Sequence, residues 1–256
     1  MRALWTRFAR RAWSRAGAVA AVVRSGVPRR VLGMSSRLLL LVAGSALISV
    51  SVSVTIWNQL GPGPLDVFIG AVRVHTGLPM SLAVWLTVGS LIAAAWMLGR
   101  RPGFGTIVSP FLIGPMLQAA LAVLDSFDVP SSLLVRVGLH LVAIAGIGVG
   151  AGALIVSGLG AGSGELFAGA ASDRIRRPES RVRPVIELSW IILGVGLGGP
   201  AGLGTVLVAV FIAPAVAWGY RSVDSSVVRS KRRLGTGHDA LRAYERRAVE
   251  RELAHR

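Results

Sequence analysis

The chain has 256 residues, 53% of them hydrophobic and only 16% charged, where soluble domains carry about a quarter. Its formal charge of +16 would suit nucleic acid, but the arginines flank long apolar runs, which is a membrane-topology signature instead. The absence of cysteine excludes disulfides, thiolate metal sites and thiol nucleophiles, and four scattered histidines lack metal-ligand spacing.

Residues 1–37 interleave Leu4, Trp5, Phe8 and Trp13 with Arg2, Arg7, Arg10, Arg11 and Arg15. This arm reads as a basic helix lying on the anionic inner leaflet, or equally as a disordered arginine-rich tail or a segment ahead of a true start at Met34. A membrane span needs about 20 mostly apolar residues, with a lower limit of about 17. The predicted spans are Leu38–Trp57, Leu82–Leu98, Gly105–Leu124, Leu134–Val156, Pro184–Leu197 and Gly204–Tyr220. The fifth is the weakest, because it is short and contains Glu187. After Tyr220 the tail 221–256 turns polar and reads as a solvated cytoplasmic helix.

Charge then predicts orientation. With the N-terminus inside, 26 of the 28 basic residues fall on the cytoplasmic side, and only Arg73 and Arg136 fall outside. Asp66, Asp125 and Asp128 lie on the outer side as well. Six spans with both termini cytoplasmic follow from this sorting.

The sequence also matches itself at an offset of 99 residues without a gap. Leu60-Gly61-Pro62-Gly63 lies over Leu159-Gly160-Ala161-Gly162, Asp66 over Glu165, and Gly103-Phe104-Gly105-Thr106 over Gly202-Leu203-Gly204-Thr205. Segments 60–115 and 159–214 share 17 identities in 56 positions, clustered in the loops where apolar bias cannot generate them. The chain therefore reads as all-α, with two three-span units at 38–124 and 134–220. An odd number of spans per unit makes the second enter from the opposite face, as in the inverted repeats of secondary transporters. Ser45, Ser49 and Ser53 recur four apart on the first span, as do Gly148 and Gly152 on the fourth beside Gly146 and Gly150, and these predict the seam between the halves.

The candidate site residues are Gly61, Gly63 and Asp66 in the first copy, Gly160, Gly162 and Glu165 in the second, and Glu187 in the fifth span. In each copy a Gly/Pro break is followed by an acid in the first turn of a short apolar helix. Such an acid complements the helix dipole and caps the helix. The sharper reading makes both short helices re-entrant, converging on a shared polar site, since irregular backbone at membrane depth must line a cavity or be buried. Glu187, four residues after Arg183, is either an intramembrane functional acid or a partner of that arginine. His140, four residues after Arg136, reads as an interfacial histidine.

The run Leu60-Gly-Pro-Gly-Pro-Leu-Asp66 with Thr76-Gly77-Leu78, then Arg101-Pro-Gly-Phe-Gly-Thr106 through Ile113-Gly-Pro115, resembles the YczE-like integral membrane proteins of bacteria, within the YitT/YczE grouping. The second copy fits the same pattern through Gly160–Phe167, Glu187 and Gly199–Thr205, but departs at Arg174–Arg177. The resemblance spans about residues 38–220 and implies a plasma-membrane protein with several spans and no established substrate.

Two functional readings follow. One is a small-solute permease or channel-like transporter with its site between the two Gly-rich loops. The other is a non-transporting scaffold acting through its basic cytoplasmic ends. No enzyme is expected, because Walker-type, Gly-x-Ser-x-Gly and His-Glu-x-x-His signatures are all missing. The expected partners are the bilayer, anionic lipids at the N-terminal arm and a small-molecule substrate, with no cofactor and no nucleic acid; oligomeric state stays open.

Overall fold

The computed structural model describes residues 32–160 and 162–233, with backbone alone for residues 180 and 226–233. Residues 1–31 of the predicted membrane-surface arm (1–37) and residues 234–256 of the predicted tail (221–256) lie outside the described residues.

Eight helices make up the described chain: α1 Met34–Trp57, α2 Pro64–Thr76, α3 Met80–Met97, α4 Phe104–Leu124, α5 Leu133–Ser157, α6 Ser163–Ile175, α7 Glu179–Gly196 and α8 Leu203–Arg233. Local chemistry sets these limits. Pro64 occupies the first turn of α2, where its missing N–H costs nothing. Gly77 and Gly158 close α2 and α5 in the left-handed region, at φ 66° and 62°. Proline caps the start of both α3 (Pro79) and α7 (Pro178). The helix starts 34, 64, 80 and 104 recur at 133, 163, 179 and 203, each 99 residues later.

Five helices are long and apolar enough to cross a membrane: α1, α3, α4, α5 and the Leu203–Ser225 part of α8. Leu39, Phe111 and Val142 stand 69%, 58% and 71% exposed on them, which suits a lipid-facing surface. The expected fifth span, Pro184–Leu197, is the exception. Its helix α7 starts earlier, at Glu179, and carries Glu179, Arg181, Arg183 and Glu187 in its first half. The last helix also runs on to Arg233, past the expected end at Tyr220.

Helix directions follow from the contacts. Arg37 meets Ser157, Gly44 meets Gly150, and Asn58 meets Arg136, so α1 and α5 are antiparallel. Ser49 and Ser53 donate to the carbonyls of Ile113 and Leu117, so α1 and α4 run parallel. Gly148 and Gly152 press on Ala215 and Gly219, so α5 and α8 also run parallel.

These contacts correct the expected seam. The small residues spaced by four (Ser49 and Ser53, Gly148 and Gly152) pack each first helix against the last helix of its own half. The seam between α1 and α5 is made by the neighbouring face, where Gly44 meets Gly150 and Ser51 meets Gly146. Small residues permit close backbone approach, but they do not specify which helix approaches. An apolar cluster around Val52, Ile69, Met80, Val84, Val88 and Leu117 fills the first half, and Ala95, Leu166 and Ala170 join α3 to α6.

Candidate functional site

The chain breaks after α1 and after α5 build two similar ends. At the first, Leu60 carbonyl accepts the Gly204 N–H at 2.6 Å; at the second, Leu159 carbonyl accepts the Gly105 N–H at 2.8 Å. Each Gly-rich loop thus sits on the Gly-x-Gly-Thr turn opening the last helix of the other half. Gly61 shows why glycine is needed there: its φ is 101°, and a Cβ would lie 2.5 Å from the Gly202 nitrogen. Thr205 accepts the Gly202 N–H at 3.2 Å, capping α8.

An arginine reinforces each end. Arg37, in the first turn of α1, donates through Nε to Ser157 carbonyl (2.7 Å) and through Nη2 to Gly158 carbonyl (3.0 Å). Arg136, in the first turn of α5, donates through Nε and Nη2 to Asn58 carbonyl at 2.8 and 2.6 Å. Both guanidiniums meet the negative end of the other half's first helix, where final carbonyls lack intrahelical partners.

The Leu60 end holds one further group. His140 is fully buried, against the expectation of an interfacial histidine. Its Nε2 lies 3.2 Å from Gly204 carbonyl and its Nδ1 3.2 Å from Asn58 Nδ2. A carbonyl can only accept, so Nε2 carries the proton and Nδ1 accepts from the amide. Asn58 Oδ1 in turn accepts the Leu60 N–H at 3.1 Å. One histidine thereby ties α5 to the end of α1 and the start of α8.

The seven residues expected to form the site fall into two groups. Asp66 stands in the first turn of α2 and accepts the N–H of its cap residue Gly63, as a capping acid does. Burial pushes its carboxyl up to about 7, and the Gly63 hydrogen bond pulls the other way. Gly61 lies behind it, against Gly202 and Thr205. At the other end Gly160 packs on Thr106, and Gly162 caps α6 beside Glu165. Glu165 and Glu187 are brought together by Arg183, at 3.1 and 2.9 Å. The Arg183–Glu187 pairing was legible from their spacing; the third member, Glu165, was not. Because α1 and α5 are antiparallel, the two groups lie at opposite ends of that pair, and no convergence of Asp66 with Glu165 is formed.

Beside Asp66 a groove of about 600 Å³ opens between α2, the end of α1 and the start of α3. Ile56, Pro62, Val74, Leu78, Met80 and Pro200 give it apolar walls, and Asp66 and Arg73 are its charged members. No group of three or more metal-ligating side chains occurs among the described residues.

Residues 35–221 match the Family of unknown function (DUF6198). The chain belongs to this family. It is 29% identical over 172 residues to the "Uncharacterized membrane protein YczE" of Bacillus subtilis (strain 168), covering 66% of this chain and 78% of that protein. It is 23% identical over 165 residues to the "Uncharacterized protein YyaS" of the same organism, covering 64% and 82%. No solved structure matches. The chain is thus a YczE-like membrane protein, as the loop motifs led one to expect.

Proposed function

We propose that this YczE-like protein is a small-solute permease of the bacterial cytoplasmic membrane, built as an inverted 3+3 repeat of six spans with both termini cytoplasmic. The observation that carries the reading is the pair of matching closures. Gly204 to Leu60 with Arg136 to Asn58 closes one end, and Gly105 to Leu159 with Arg37 to Ser157 closes the other. Every partner in one closure stands 99 residues from its counterpart in the other. A protein that opens to each side in turn needs two such seals, each joining one half to the other. The antiparallel α1–α5 pair supports the inversion, and the sorting of arginines supports the orientation.

In this reading α7 is the fifth of the six spans, joining the five that length and composition give. Its 18 residues extend about 27 Å, close to the roughly 30 Å of a hydrocarbon core. Its charges gather at one end, where Arg183 pairs with both Glu165 and Glu187. The bilayer, anionic lipid at the basic arm and a small molecule are the partners.

The absence of cysteine makes the test direct. Single cysteines are placed at Leu65 and Gly164; at Gly164 a Cβ meets only Trp190, at 3.6 Å. Each is labelled with a membrane-impermeant maleimide from either face of oriented vesicles. A permease gives labelling of at least one position from the face opposite its loop, or labelling that a solute blocks. Free labelling of Leu65 from outside only and Gly164 from inside only would leave the inverted topology standing and remove the pathway.

A further inference from the structure

The two short helices are built alike, but their acids are treated differently. In α6, Glu165 is held by Arg183 of α7. The positions 99 residues before Arg183 and Glu187 are Val84 and Val88, both buried. Asp66 therefore receives no guanidinium from α3. Among the described residues, ion pairs join Arg100 to Asp173 and Arg183 to Glu165 and Glu187; neither Asp66 nor Arg73 takes part in one.

Asp66 and Arg73 both line the groove. Seven residues apart on α2, they share one helix face and stand about 10 Å apart along its axis. An unpaired carboxylate and an unpaired guanidinium thus face one mostly apolar groove. Complementary charges in a low-dielectric cleft favour a ligand that supplies both partners.

We propose that this groove binds a water-soluble zwitterion whose ammonium sits on Asp66 and whose carboxylate sits on Arg73, with an apolar segment between them. Amino acids whose amine and carboxylate are separated by a carbon chain, and short peptides, are the substrate class. The inference rests on the permease reading, and a direct binding assay separates the two.

The probes are 6-aminohexanoate, hexylamine and hexanoate, which share an apolar chain and differ only in charge. Binding is measured by isothermal titration on the full chain in detergent. The expected result is that 6-aminohexanoate binds at least tenfold tighter than either singly charged analogue. Asp66→Asn and Arg73→Gln each lower its affinity tenfold or more. Arg73 is exposed, so that variant leaves folding intact. Equal binding of the three probes, no binding of any, or affinity unchanged in Arg73→Gln overturns the proposal. So does loss of probe binding when phosphatidylethanolamine is added to phosphatidylglycerol nanodiscs, because a lipid headgroup is then the occupant. Binding as expected with no pathway in the maleimide experiment keeps the zwitterion site and overturns the permease.

Discussion

Arg136 places both Nε and Nη2 on one carbonyl, that of Asn58, at 2.8 and 2.6 Å. Asn58 is the cap that ends α1, and its Nδ2 also reaches the backbone carbonyl of Arg136. The pair therefore fastens the exit of one half's first helix to the entrance of the other's. Charge-assisted hydrogen bonds of this kind contribute about 1.5–3 kcal/mol each to stability. Arg136→Gln should lower the thermal midpoint in detergent by an amount corresponding to about 1–3 kcal/mol, and Arg37→Gln, at the opposite end, by a similar amount. An unchanged midpoint in both would mean that neither closure contributes to holding the halves together.

Close packing of α5 on α8 gives a second prediction. Gly219 lies so near the Gly148 carbonyl that no Cβ fits, whereas Gly89 on α3 has nothing within 4 Å. Gly219→Ala should force the two backbones apart and cost about 3 kcal/mol or more, as overpacking of a tight interface does. Gly89→Ala, in open space, should be neutral or stabilising by about 0.5–1 kcal/mol through helix propensity. Comparing thermal unfolding of the two variants checks this. Equal effects would show that the α5–α8 contact is looser than its geometry.

Much of this fold was legible because loops and charges carry information that apolar helices do not. The Gly-x-Gly-Thr turns and Gly-rich breaks repeat at 99 residues because each must accept the backbone of its counterpart, as Gly204 does at Leu60. The lateral packing of helices was not legible. Ser49, Ser53, Gly44 and Gly150 are all small residues on two neighbouring faces, and spacing alone does not say which partner each face meets. The polar closure around His140 was missed because Asn58, Arg136 and Gly204 are distant in sequence. The signal available was that Arg37 and Arg136 themselves stand 99 residues apart.

The Glu165–Arg183–Glu187 group yields a third prediction. One cation serves two carboxylates, at 3.1 and 2.9 Å, and Glu187 is only 14% exposed. Removing the cation alone leaves two acids facing each other in a poorly hydrated place, which costs more than removing all three charges. Arg183→Met should therefore destabilise by about 1–3 kcal/mol, discounted from the fully buried case because Arg183 keeps some exposure. The triple variant Glu165→Gln, Arg183→Met, Glu187→Gln should recover most of that loss. If the triple variant is worse than Arg183→Met, the group supplies attraction beyond mutual neutralisation.

Asp66 provides a pH prediction of unusual sign. Its folded carboxyl is raised from 3.8 to about 7, chiefly by burial. Between those values the folded chain keeps a proton that the unfolded chain has released. Raising the pH therefore favours unfolding: the penalty begins above about 4 and is complete above about 7. The titratable neighbours do not offset it. On α2 they are Arg73 and His75; α3 has none; α7 has Glu179, Arg181, Arg183 and Glu187, but meets α2 near Gly194, at its far end. The apolar part of α8 carries none before Tyr220, and α1 none after Arg37. Asp66→Asn keeps an oxygen for the Gly63 N–H and removes the titration. Its thermal midpoint should match wild type below about pH 4 and exceed it at pH 8, by an amount corresponding to about 1–2 kcal/mol once the carboxyl's partial exposure is discounted. A difference that is the same at both pH values would show that burial does not raise the carboxyl in the folded chain.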